Sequence, residues 1–99
     1  MSDYIIPLVD SPNQILYVAL GGQQCRIELS QSDYGLFINL YVNDSLIVGG
    51  VQCHNLNKIV RDGYLGFIGD LAFHDTQGAS DPASPGLGTR YILYYVVPA

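Results

Sequence analysis

The run Tyr91-Ile92-Leu93-Tyr94-Tyr95-Val96-Val97 has no polar side chain other than its tyrosine hydroxyls, and it limits the possible folds more than any other stretch. Its β-branched and aromatic residues predict a strand. A strand with one wet side alternates apolar and polar residues. Here either Ile92, Tyr94 and Val96 or Leu93, Tyr95 and Val97 would stand in water. Both faces therefore need cover. Two arrangements supply it: a central strand enclosed by the domain's own structure, or a strand with one face against a partner. An apolar strand left open is an aggregation hazard.

Turn signals organise the rest of the chain. Gly21-Gly22, Tyr34-Gly35, Asn43-Asp44, Asp62-Gly63 and the stretch 77–88 punctuate short runs of β-branched and aromatic residues. Pro7 cannot donate to a ladder, so residues 1–12 read as an extended arm or edge strand ending at Ser11-Pro12-Asn13. Ile15–Leu20 and Gln24–Ser30 form a hairpin across Gly21-Gly22, and in its second strand Cys25, Ile27 and Leu29 alternate with Gln24, Arg26 and Glu28. Leu36–Val42 and Leu46–Cys53 form a second hairpin across Asn43-Asp44. Gly49-Gly50 inside the returning strand marks a bulge or bend. Residues 55–62 hold at most one short helical turn, Leu65–Phe73 resumes strand composition, and 77–88 is a flexible loop rich in Gly, Pro and Ser.

The expected fold is therefore all-β: a single domain over residues 1–99, built as a small β-barrel or β-sandwich of about 6–8 mostly antiparallel strands. With 48% apolar and 13% charged residues the chain carries enough hydrophobic side chain to fold.

Charge excludes one class of ligand. The net charge is −5, and the only cations are Arg26, Lys58, Arg61 and Arg90, so no basic surface is available for a nucleic acid backbone. No apolar run reaches the length of a membrane span and no leader peptide is read at the start, so a soluble, unprocessed chain is expected. Cys25 and Cys53 lie in strand-like runs and read as buried thiols, with a disulfide or an intermolecular bond as the alternative.

Catalytic and metal sets are weak. Cys53 and His54 are neighbours on a strand and point to opposite faces, so a Cys–His pair would have to recruit His74, with Asp75 as its orienting carboxylate. Zinc would need His54, His74, Asp75 and Cys53 without the usual close spacing of paired ligands, and Asp70, Asp75 and Asp81 lack the spacing of a calcium loop. Gly63, Gly66 and Gly69 recur every three residues but precede no phosphate-binding helix. No catalytic residue, metal or cofactor is expected. Eight tyrosines and no tryptophan leave open a protein interface or a sugar platform.

Several features stand in a recognisable order: Ile6-Pro7-Leu8, Ser11-Pro12-Asn13-Gln14, Leu20-Gly21-Gly22-Gln23 and Phe37-Ile38-Asn39-Leu40-Tyr41. Leu65-Gly66, Gly69-Asp70-Leu71 with Asp75, and Leu87-Gly88-Thr89-Arg90-Tyr91 follow. In this order the chain resembles the small family of phage proteins typified by the plug of the cyanophage contractile-tail baseplate. The resemblance implies a structural virion component made in the host cytoplasm. It would pack against hub and spike proteins at the tail tip, with a homo-oligomer around the tail axis as a further expectation. Contact residues expected on that basis are Ile92, Tyr94 and Tyr95 on the last strand, Asp81 to Leu87 in the loop, and Arg90 at the boundary. The mixed 55–63 segment with Lys58 and Arg61, and the two cysteines, depart from the pattern. The alternative from a different class is a β-domain that binds carbohydrate or another small ligand through exposed tyrosines.

Overall fold

A computed structural model describes residues 4–56, 58–60, 69–83 and 86–96. Among the described residues seven strands form: β1 (Tyr4–Ile6), β2 (Asn13–Leu20), β3 (Gln23–Ser32), β4 (Gly35–Val42), β5 (Ser45–Gln52), β6 (Asp70–Asp75) and β7 (Tyr91–Val96). They form two antiparallel sheets, one of order β2-β3-β4-β5 and one of order β1-β7-β6. Of the two architectures expected, the sandwich is the one adopted, and the described strands do not close into a barrel.

The four-stranded sheet is a meander of tight hairpins. Gly21 and Gly22 both take positive φ, 58° and 77°, and Asn43 and Asp44 do the same at 49° and 68°. These are the paired left-handed conformations that a two-residue hairpin turn demands. β2 pairs with β3 without interruption from Asn13↔Ser30 to Leu20↔Gln23. β5 breaks register with β4 twice between Ile38 and Tyr41, beside Gly49-Gly50, so the bulge expected there is present. Period-two alternation sends Leu20, Cys25, Ile27, Leu29, Leu36, Ile38, Leu40 and Val42 inward.

The three-stranded sheet supplies the opposing layer. β7 lies at its centre, with Ile6 against Leu93 on one side and Phe73 against Leu93 on the other. Ile6, Leu71, Phe73, Leu93 and Tyr95 are fully or almost fully buried and join the inward row of the four-stranded sheet in one core. β1 is the edge strand that Pro7 predicts, and it ends one residue before that proline.

Residues 55–60, as far as they are described, form no helical turn. Asn55 and Lys58 bridge instead to Phe73 and Ala72, alongside β6. One cause is Asp70, whose Oδ1 accepts the backbone N–H groups of Ile59, Val60 and Leu71 at 3.0, 2.8 and 2.7 Å. The Leu56 and Ile59 N–H groups also reach the Phe73 and Leu71 carbonyls at 2.8 and 2.9 Å, so the segment's amides go to β6 and the Asp70 side chain in place of helical partners. The rest of the expected strand from Leu65, and the turn at Asp62-Gly63, lie outside the described residues.

Candidate partner-binding surface

β7 covers its two faces differently. Tyr91, Leu93 and Tyr95 point into the core, whereas Ile92, Tyr94 and Val96 stand half-buried on the outer face. Cross-strand register widens that outer face. Ile5, 55% exposed, lies opposite Tyr94, which in turn lies opposite Ala72, and Ile92 lies opposite His74. Leu56, 66% exposed, joins Ala72, His74, Tyr94 and Val96 around a shallow concavity of about 230 Å³. The His74 and Tyr94 rings meet with centroids 6.3 Å apart. The result is a largely apolar patch whose members come from the arm, β6, the last strand and residue 56, with exposed Lys58 beside Ala72 at its border.

The segment between β6 and β7 is anchored by three carboxylates. Asp75, wholly buried, accepts Arg90 Nε and Nη2 at 2.8 Å each in a two-pronged ion pair, together with the N–H groups of Gln77 and Ser80 at 2.9 Å. The guanidinium first, then those backbone donors, holds this carboxyl well below the usual carboxylate range. Asp81 accepts the Asn55 N–H at 2.9 Å and lies 3.0 Å from His54 Nδ1, and these contacts, in that order, lower its pKa. Asp10 accepts the Gly86 N–H at 3.0 Å, tying the loop to the arm. At Gly88, with φ 83°, an added Cβ would lie 2.5 Å from the Leu8 carbonyl oxygen, so loop and arm meet too closely for any side chain there.

The residues expected to make contacts thus separate. Ile92 and Tyr94 reach the surface. Tyr95, 3% exposed, and Leu87, 1% exposed, are corrected to core residues: their rings and methyls pack inward and offer a partner no area. Arg90 and Asp81 are engaged within the chain, as latches of the loop.

The chemical sets remain dispersed. Cys25 and Cys53 are free buried thiols, and burial pushes Cys53 up to about 12, away from thiolate reactivity. His54 turns to Asp81, and His74 lies on the outer face beside Tyr94. Among the described residues no three His, Cys, Asp or Glu side chains gather to hold a metal ion, and no helix is long and apolar enough to cross a membrane.

Sequence reasoning passed over one further surface, the outer face of the four-stranded sheet. A single row crosses all four strands as Tyr17, Arg26, Tyr41 and Leu46. The Arg26 guanidinium lies 3.9 Å from the centroid of the Tyr41 ring. Arg26 Nε faces Glu28 Oε2 at 3.2 Å, a charge contact without hydrogen-bond alignment. Glu28 Oε1 accepts Asn39 Nδ2 at 3.1 Å, and Asn39 Oδ1 accepts the Gly50 N–H at 2.7 Å. Alternation in Gln24–Ser30 already marked Arg26 and Glu28 as wet, but the row emerges only from the register between strands.

Two comparisons bear on this geometry. Residues 3–98 match the family model described as cyanophage baseplate Pam3 plug gp18. A search of curated proteins finds no match.

Proposed function

The chain belongs to the cyanophage baseplate plug family, and from that premise we propose that it seals or bridges the tail tip by docking the apolar outer face of its three-stranded sheet onto the hub and spike proteins. The carrying observation is the apolar patch of Ile5, Leu56, Ile92, Tyr94 and Val96. It is assembled on a central strand whose other face is already used by the core. Such a patch is stable in water only as a small area and gains most by being covered. Work at a tail tip requires rigidity, and the Asp75–Arg90 pair with the Asp81 and Asp10 ties supplies it where the loop meets the sheet. In this reading the chain performs no catalytic step and acts as a packing part of the virion.

The competing sugar platform has less support. Tyr17 and Tyr34, 76% and 84% exposed, are the most open tyrosines among the described residues. Tyr17 is opposite Arg26, whereas Tyr34 lies in the turn beyond Ser32, which puts them roughly 20 Å apart along β3. They form no common stacking surface.

Co-expression with the hub and spike proteins of the same phage, followed by affinity capture, tests the proposal. Ile92→Asp with Tyr94→Asp should weaken capture by at least about tenfold, roughly 1.4 kcal/mol, while Tyr34→Asp in the exposed turn between β3 and β4 leaves it unchanged. Capture indifferent to the first pair would overturn it.

A further inference from the structure

The outer face of the four-stranded sheet is self-complementary, and we propose that the chain pairs with a second copy of itself through it, around a two-fold axis passing over Ile27. The inference depends on neither hub nor spike. Copies carrying −5 repel one another, so self-association must occur where the surface is locally neutral. On this face the central strands β3 and β4 carry one cation and one anion, Arg26 and Glu28, which occupy successive outward positions of β3 on either side of inward Ile27.

That spacing has a geometric consequence. A half-turn about an axis lying between two stacked sheets, at right angles to β3 and above Ile27, places Arg26 over the partner copy's Glu28 and Glu28 over the partner copy's Arg26. The four groups then form a square of alternating charge. The same operation carries the flanking residues with it. Tyr17 shares a row with Arg26 and Ile15 shares a row with Glu28, so exposed Tyr17 meets the partner copy's exposed Ile15. Tyr41 shares the Arg26 row and Asn39 the Glu28 row, so Tyr41 meets the partner copy's Asn39. Moving the axis to Arg26 or to Glu28 would stack like charges, which disfavours those registers.

The side chains are arranged before any partner arrives. Arg26 is fixed by the Tyr41 ring and Glu28, Glu28 by Asn39, and Asn39 by the Gly50 N–H. An exposed ion pair contributes little to the fold. Its order lowers the entropy lost on association. Four strands about 4.8 Å apart and some eight residues long give a footprint of roughly 500 Å² per copy, about 1,000 Å² in all, at the small end for a specific interface. A weak dimer in the micromolar range is expected.

Sedimentation equilibrium of the full chain from about 5 to 500 µM tests this. The wild type should pass from monomer to dimer, and Arg26→Glu or Glu28→Arg alone should weaken self-association at least tenfold. An equimolar mixture of those two variants should regain a heterodimer, because one copy then presents two anions and the other two cations. The internal pair is broken in both, so rescue on mixing reports the contact between copies. Asp33→Arg, in the β3–β4 turn, changes net charge as much as Glu28→Arg and should not substitute for it in the mixture. Circular dichroism melts establish that each variant is folded; if a reversal prevents folding, Tyr17→Asp takes its place and should also weaken the dimer. A wild type monomeric to 500 µM, a mixture that stays monomeric, or a Tyr17 surface that titrates with oligosaccharides in the monomer would each overturn the proposal.

Discussion

The two sheets of this sandwich are of similar material and opposite construction. In the four-stranded sheet every strand pairs with its neighbour in sequence, through two turns whose central residues take positive φ and a third, Asp33-Tyr34, closed by Gly35. In the three-stranded sheet the first strand and the sixth meet only through the seventh, and a long loop has to be tied down by Asp75, Asp81 and Asp10 before that sheet is complete. The outer faces follow suit: a charged and aromatic lattice on the first, an apolar patch on the second. Local construction leaves the outward positions of a strand open to polar residues. A central strand recruited from far away keeps apolar residues on both sides.

The largest expected effect lies within β7 and sets its two faces against each other. Leu93→Ala removes a fully buried side chain shared by β1, β6 and the core, and should cost about 3 kcal/mol in urea denaturation. Tyr94→Ala, one residue on, should cost less than about 1 kcal/mol. Similar losses for both would mean that the outer face is covered within the domain, and the docking proposal would lose its basis.

Next comes the contrast between an anchored loop and a free turn. Gly88→Ala puts a methyl against the Leu8 carbonyl at an unfavourable φ and should destabilise by more than about 2 kcal/mol. Gly22→Ala, also at positive φ but with open space around it, should cost about 1 kcal/mol. Chemical denaturation of both variants measures the difference.

Acid gives the smallest and most graded test. Asp75 and Asp81 have folded pKa values below their unfolded ones, so their contribution is present above about pH 4 and is lost as pH falls further toward the folded values. Melting temperature should change little from pH 7 to 5 and fall below pH 4. Asp75→Asn should start lower at pH 7 and show a shallower acid decline. An unchanged acid limb in that variant would remove Asp75 from the account.

Much of this was legible in the chain. Gly21-Gly22 and Asn43-Asp44 announce their hairpins because few residues tolerate those dihedrals, Pro7 announces an arm or edge, and the absence of polar positions in the last strand announces that both its faces need cover, without saying whether the domain or a partner supplies it. What escaped was direction and register. In Tyr94-Tyr95 no polar neighbour marks which ring faces inward, so Tyr95 was expected at a surface that it does not reach. Leu87 is the one large apolar side chain in a polar loop, and only the return of that loop over the core buries it. Asp70 and Asp75 look like ordinary carboxylates until the backbone groups they collect are brought to them. The Tyr17-Arg26-Tyr41-Leu46 row draws one residue from each of four strands and exists only once they are aligned.

The central position of β7 also bears on how the chain is made. Translation delivers β1 first and β6 much later, and neither has its pairing strand until β7 leaves the ribosome last of the seven. The meander of β2 to β5 can form as it emerges, with its inner surface uncovered until the sheet opposite is finished. That interval is the vulnerable period of biosynthesis: a chain stalled or truncated before Tyr91 would present a half-built core to chaperones and proteases, so quality control at this protein amounts to a check on whether its last strand has arrived.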